Sequence, residues 1–395
     1  MYKIGENTVS RDDFDFTQQL MSAYKGKVKP LCMCLPTGVP MYIAHVGDTY
    51  IIKRMPNSGG DHHPDCESYE IPSELSGRGD LDNKAIQEDH STGITKLKLD
   101  FALTKNNTTR AAPQGESSEK NTVKSDPAKL SLRSLLHYLY EDAGLNKWYP
   151  RMEGKRNWFV VRKYLLEAIA NKVAKNSPLS DTVLIPENFN LDKKDEHGHR
   201  IKKHMMSMRP QGNKQPVGVL IGAVKEIEEA RFGYKLKVKH LPEAPFYMGK
   251  DVYRRIYKNF PVELSLFEQN ESTHLLTICT FFLSASGNPQ IDSISFMLTD
   301  SNWLPVESID DMELTERATS GKRSFIKGLR YNLASTDVIA SMLLTDIEGK
   351  PTAVYISPIE PSDEFKEKLD IVLSESDLES FIWDLESEEM LQLPK

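Results

Sequence analysis

Between Leu31 and Met55 the chain alternates apolar and polar residues around Gly38-Val39-Pro40 and Val46-Gly47-Asp48. This period of two predicts a small β-meander: a strand over 40–44, a tight turn at Gly47-Asp48, and a strand over 49–54. Asn57-Ser58-Gly59-Gly60 then turns the chain. Residues 95–104 alternate again as a strand, whereas 106–127 are rich in Asn, Thr, Ser and Lys and predict a linker or exposed loop. The period then lengthens. Leu132, Leu135, Leu136 and Leu139 share one face of a helix starting near Ser131, and Val161, Leu165, Ala168 and Val173 predict a second helix over 158–175. Strands are expected over 217–225 and 234–240 around Arg231-Phe232-Gly233, then over 275–283 and 291–298, with a helix at 250–260 between the two pairs. The last third predicts strands at 341–345 and 352–356 and helices at 364–373 and 378–391.

These elements define an α+β chain of several parts. The expected divisions are a β module over 1–105, the linker 106–127, a helical module over 128–210, a β-rich domain over 211–310, and a C-terminal α/β region over 311–395. The longest apolar runs, near 217–224 and 275–282, fall far short of the roughly 20 residues a spanning helix needs, so no membrane association is expected. Residues 1–15 lack the pattern of an export signal, which makes a cytoplasmic location the expectation.

Charge divides the chain more sharply than its net of −7 implies. Residues 128–260 hold 26 Lys and Arg against 14 Asp and Glu, while residues 261–395 hold 9 against 25. A basic centre suits an anionic partner such as nucleic acid; alternatively it neutralises the acidic third of its own chain. Candidate phosphate-binding residues are Lys155 and Arg156 in the connector between the two central helices, and Lys193, Lys194, Arg200, Lys202, Lys203 and Arg209 in a very polar stretch that reads as a mobile basic loop. Trp148, Tyr149 and Trp158 in that connector could stack on bases, but packing in the helical core is the stronger expectation. The acidic segment from Leu373 to Leu393 predicts an amphipathic helix, packed on its own domain or offered to a basic protein partner.

Three of the four cysteines lie within 35 residues: Cys32 and Cys34, then His62-His63 and Cys66. In a reducing compartment, Cys-x-Cys followed by His-His-x-x-Cys reads as a metal site. Three thiolates and one imidazole complete a closed tetrahedral Zn²⁺ site of structural type. His62 and His63 both suit the fourth position, and His45 is a further substitute. Cys279 lies in an apolar run and reads as a core residue. His197, His199 and His204 lack cysteines or paired carboxylates at fixed spacing, so a second metal site is not expected there. No phosphate loop, dinucleotide fingerprint, nucleophile elbow or metalloprotease helix is present.

The segments Cys-Met-Cys, Gly-Val-Pro-Met-Tyr and Lys-Arg-Met-Pro-x-Ser-Gly-Gly-Asp-His-His-Pro-Asp-Cys, with those around 132–158 and 217–245, resemble a bacterial family known only as a domain of unknown function. Its members tend to be carried on integrative and conjugative elements, and three N-terminal cysteines mark it. The resemblance implies a cysteine site and a mobile-element origin. A second resemblance lies at Arg330-Tyr331-Asn332, Leu343-Leu344-Thr345-Asp346 and Ala353-Val354-Tyr355-Ile356, which are similar to the strand pair of restriction-endonuclease-like nucleases. In that superfamily an Asp and a Glu on these strands bind Mg²⁺. Here the matching positions are Ser341 and Ala353, and Asp337, Asp346 and Glu348 are shifted from them. The resemblance therefore implies a degenerate core. The expected function is a non-enzymatic nucleic-acid-binding accessory of a mobile element. A metal-dependent nuclease and a protein–protein adaptor acting through the acidic end are the alternatives.

Overall fold

A computed structural model describes residues 1–46, 49–55, 58–72, 75–79, 81–89, 92–106, 126, 128–387 and 392–394. The expected turn at Gly47-Asp48, Asn57 and most of the 106–127 linker lie outside the described residues. Helices and several sheets are mixed along the chain, as α+β requires.

The N-terminal lobe is an antiparallel sheet with one helix. β1 (Tyr2–Ile4), β2 (Asn7–Val9), β3 (Leu31–Cys32), β4 (Val39–Val46) and β5 (Thr49–Arg54) pair in the order β2-β1-β3-β4-β5. The β4–β5 hairpin matches the alternating pattern. Helix α1 (Phe16–Lys25) buries Leu20 and Ala23 against Met41, Ile43 and Ile52.

The next stretch adds β6 (Ile86–Glu88), β7 (Thr95–Leu97), β8 (Thr104–Asn106), α2 (Leu132–Asp142), β9 (Lys147–Trp148) and α3 (Trp158–Ile169). Both central helices start on side-chain caps: Ser131 accepts from the Ser134 N–H, and Asn157 accepts from the Val160 N–H, each at 3.2 Å. The second helix is shorter than expected. It stops at Ile169, and Lys172–Ala174 instead forms β10, paired with β7 and with β11 (Ser177–Pro178). The reason lies in the turn that follows, where Lys175 and Asn176 take left-handed φ of 51° and 65° and reverse the chain. Trp148, Tyr149 and Trp158 are all buried.

After β12 (Val183–Leu184), the expected basic loop is an α-helix, α4 (Lys194–Ser207). Asp195 and Glu196 in its first turn suit the helix dipole. His197, Ile201, Met205 and Met208 follow at helical spacing, and the last three pack on the neighbouring core. Charges between these anchors hide their period.

Beyond β13 (Lys214–Pro216), five strands close a barrel: β14 (Gly218–Glu229), β15 (Tyr234–Val238), β16 (Phe246–Met248), β17 (His274–Leu283) and β18 (Pro289–Thr299). They pair as β14-β15-β16-β18-β17, and β17 returns to β14. β16 and β18 run parallel; the other pairs are antiparallel. Helices α5 (Lys250–Asn259) and α6 (Pro261–Gln269) connect the third strand to the fourth. In barrel order this is 1-2-3-5-4-1 with a helical insert after strand 3, the connectivity of an OB-type Greek-key barrel. A register shift at Val224/Glu226 bends β14, so its first half pairs with β17 and its second with β15. Leu220, Val224 and Cys279 share the core with Phe246 and Phe281. Val219, Ile221 and Ala223 belong instead to the core built by α2 and α3, which is why the first half of β14 is buried on both faces.

The C-terminal third holds α7 (Ile309–Ser320), β19 (Phe325–Lys327), β20 (Met342–Leu344), β21 (Thr352–Ser357), α8 (Asp363–Glu375) and β22 (Glu379–Asp384). The sheet order is β22-β21-β20-β19-β9, so residues 147–148 complete a sheet formed far along the chain. The expected terminal helix over 378–391 is replaced by β22, and 388–391 lie outside the described residues. β21 offers an open edge, and Phe381 and Trp383, two apart, both pack on the sheet's core as a strand places them.

Candidate metal centre

Cys32 ends β3, and Cys34 sits in the turn that leads to β4. His62 and Cys66 come from the loop after β5, across the same sheet. That loop is held by short-range bonds: the Cys66 N–H donates to the His63 carbonyl at 2.8 Å, and the His62 N–H to the Gly59 carbonyl at 3.3 Å.

The fold brings Cys32, Cys34, His62 and Cys66 together, with their four donor atoms all within 4.8 Å of one another. The Sγ atoms of Cys32 and Cys66 are 3.6 Å apart. His62 Nδ1 lies 3.4 Å from Cys34 Sγ and 3.7 Å from Cys66 Sγ. Metal–sulfur bonds of about 2.3 Å and metal–nitrogen bonds of about 2.0 Å, at tetrahedral angles, require S···S near 3.8 Å and S···N near 3.5 Å. The cluster fits a single tetrahedral cation. Backbone N–H groups of His63 and Ser68 point at the sulfurs of Cys34 and Cys66, at 3.5 and 3.4 Å, and would steady their negative charge. Burial pushes the Cys32 thiol up to about 12 and lowers His62 to about 4, so the pocket disfavours charge on its own ligands and suits a cation that compensates them.

His63 lies outside the cluster; it is exposed, and its Nδ1 accepts the Asp65 N–H at 3.2 Å. His45 stacks on Tyr50, with ring centroids 4.5 Å apart. Among the described residues, no other group of three or more His, Cys, Asp or Glu is placed to hold a metal ion. A tetrahedral cation held by all four would have no position left for a reactive water.

A buried ionic network, which the sequence did not reveal, fastens this lobe to the rest. Lys147 Nζ donates to the carbonyls of Glu67 and Tyr69, at 2.6 and 2.7 Å, directly after the last cysteine. Arg54 and Arg78 both bind Glu70. Arg78 also binds Asp82 at 3.1 Å and Glu141 of α2 at 3.0 Å, and Glu141 accepts the Tyr331 hydroxyl at 2.7 Å. Burial opposes ionisation of Glu70, but the two guanidiniums outweigh it and hold the carboxyl below its usual range. Glu141 shares Arg78 with a like charge, and burial pushes it up. Gly77 is required where this segment crosses the C-terminal third: a Cβ there would lie 2.2 Å from the Arg330 carbonyl oxygen.

The other candidates are dispersed. Arg156 turns inward and donates to the carbonyls of Leu145 and Lys147. Arg200 pairs with Glu187 and Lys194 with Glu243, so these charges of α4 are met locally and not by the acidic third of the chain. Lys155, Lys193, Lys202, Lys203 and Arg209 are exposed. Asp346 is gripped by Arg323 at 2.7 Å, Asp337 by Lys368 at 3.0 Å, and Glu348 is exposed in the turn between β20 and β21. The three acids do not converge.

A barrel of OB-type connectivity, joined to a lobe with a Cys₃His cluster, defines the class of molecule. A family model described as "Protein of unknown function (DUF1173)" matches residues 2–386, and the chain belongs to that family. Nothing among the curated proteins or the solved structures matches it. No helix among the described residues is long and apolar enough to cross a membrane.

Proposed function

We propose that this protein is a zinc-stabilised nucleic-acid-binding protein that acts by binding rather than by catalysis. The observation that carries this is the five-stranded barrel, a form that often binds oligonucleotides across its second and third strands, here with a basic helix beside it. Lys193, Lys202, Lys203 and Arg209 are exposed on or beside α4 and make no ion pair among the described residues, which suits a phosphate backbone. Zinc is the cation that three cysteines and a histidine select, and it would hold the N-terminal lobe in shape. The ion pairs of Asp337 and Asp346 favour binding over nuclease chemistry. The mobile-element setting rests on the sequence resemblance alone.

The test is affinity for labelled DNA and RNA in a salt series from about 50 to about 200 mM, with slope proportional to the phosphates neutralised. Binding that weakens steadily with salt is expected. No binding at the lowest salt overturns the proposal.

A further inference from the structure

The barrel has a groove on its outside, away from the metal cluster. It lies between α4 and the barrel wall formed by β16, the β15–β16 connection and the β17–β18 hairpin, and it encloses about 380 Å³. Phe189, Ile201, Met205 and Tyr247 supply apolar and aromatic walls. The register of β16 sets the direction of Tyr247: its neighbours Phe246 and Met248 are buried in the barrel core, so Tyr247 faces outward.

Positive charge on the rim points to an occupant. His197 lines the groove but is only 5% exposed, and its Nε2 is closed to solvent, so it serves as wall and not as a contact. Lys202 lies on the rim, exposed, and neither it nor its neighbour Lys203 forms an ion pair among the described residues. The rim's one acid, Glu243, is already held by Lys194 at 2.6 Å. The groove therefore presents aromatic surface and positive charge on its rim. A second aromatic stands at the β14–β15 hairpin tip, which abuts the end of β16. There Phe232 is 82% exposed, with the Arg231 guanidinium 5.3 Å from its ring.

A flat apolar ligand would leave the lysines unused. A duplex would leave Tyr247 and Phe232 unused, because both faces of each paired base are already stacked on neighbours. An unpaired strand offers both partners at once: free base faces and phosphates. Resting on the nucleic-acid reading above, we infer that this groove seats single-stranded nucleic acid. One base stacks on Tyr247, Lys202 takes an adjoining phosphate, and Phe232 stacks a further base.

The test is fluorescence anisotropy of the full chain with a labelled oligothymidine of about 16 nucleotides, within the span one such barrel covers. Tyr247→Ala should weaken binding roughly 5- to 150-fold, as the loss of one stacked base does, while Tyr247→Phe retains affinity. Lys202→Gln, at an exposed position that cannot unfold the protein, should lower the salt slope by about 0.7. A duplex of the same length should bind more weakly and be unaffected by Tyr247→Ala. If the wild type binds but both Tyr247→Ala and Lys202→Gln match it within about twofold, the groove is not the seat, although the nucleic-acid reading stands. If the wild type binds neither single strand nor duplex at low salt, both fail. Duplex binding that is stronger than single-strand binding and insensitive to Tyr247 also overturns the inference.

Discussion

Replacing Arg78 with methionine tests whether the buried ionic network joins the metal lobe to the body of the protein. The Arg78 side chain is 11% exposed and lies within 3.3 Å of oxygens of Glu70, Asp82 and Glu141. Its guanidinium also sits 5.6 Å from the centre of the Tyr138 ring. Methionine keeps an unbranched apolar stem of similar reach and removes the charge with its hydrogen bonds. Glu70 retains Arg54, but Glu141 loses its cation and keeps only the Tyr331 hydroxyl. Breaking a buried pair by removing one partner costs about 3–5 kcal/mol, a large share of the total stability of an ordinary domain. Urea unfolding followed by tryptophan fluorescence at pH 7 should show that loss. Arg78→Met combined with Glu141→Gln should recover part of it, because the stranded carboxylate is then neutral. A loss below about 1 kcal/mol, or a double variant less stable than the single, would refute the reasoning.

Other expectations follow from single contacts. His137 is buried, accepts the Tyr331 N–H at 3.0 Å, and is lowered to about 3 by burial and by Arg133 and Arg330. Its ordinary value is about 6.5, so between these limits the unfolded chain holds the extra proton. Its share of stability is complete above about pH 6.5 and falls by ~1.4 kcal/mol per unit on acidification towards 3. From pH 7 to 5 the wild type should lose about 2 kcal/mol more than His137→Gln, and equal losses would contradict this. Gly77→Ala must displace the Arg330 carbonyl and should destabilise by about 1–3 kcal/mol in the same urea assay; a neutral result would mean the two segments separate freely. Asp346→Asn, which loses charge against Arg323 near the surface, should change stability by less than about 1 kcal/mol; a larger loss in that assay would mean the pair is more than a surface contact.

What the sequence revealed depended on whether the signal was local. The leucines at 132, 135, 136 and 139 formed a helix where their spacing required one, and the strand pairs at 218–238 and 274–299 followed the apolar runs. The closeness of Cys32, Cys34 and Cys66 in sequence marked the cluster, but only the fold distinguished His62 from His63. The barrel was hidden because its closure depends on β17 returning to β14 over about 50 residues, and on a β16 only three residues long. α4 was masked by charges between its apolar anchors. The run Phe381-Ile382-Trp383 suits a helix or a strand equally, and the open edge of β21 decided for the strand. The groove beside Tyr247 joins residues from α4, β16 and the β17–β18 hairpin, and no spacing along the chain could reveal it.

Native mass spectrometry compared with denaturing mass spectrometry tests most directly whether the Cys₃His cluster holds zinc. The account predicts one zinc per chain in the folded wild type, lost on denaturation and absent from Cys34→Ser. Wild-type protein that is folded and carries no zinc would contradict it.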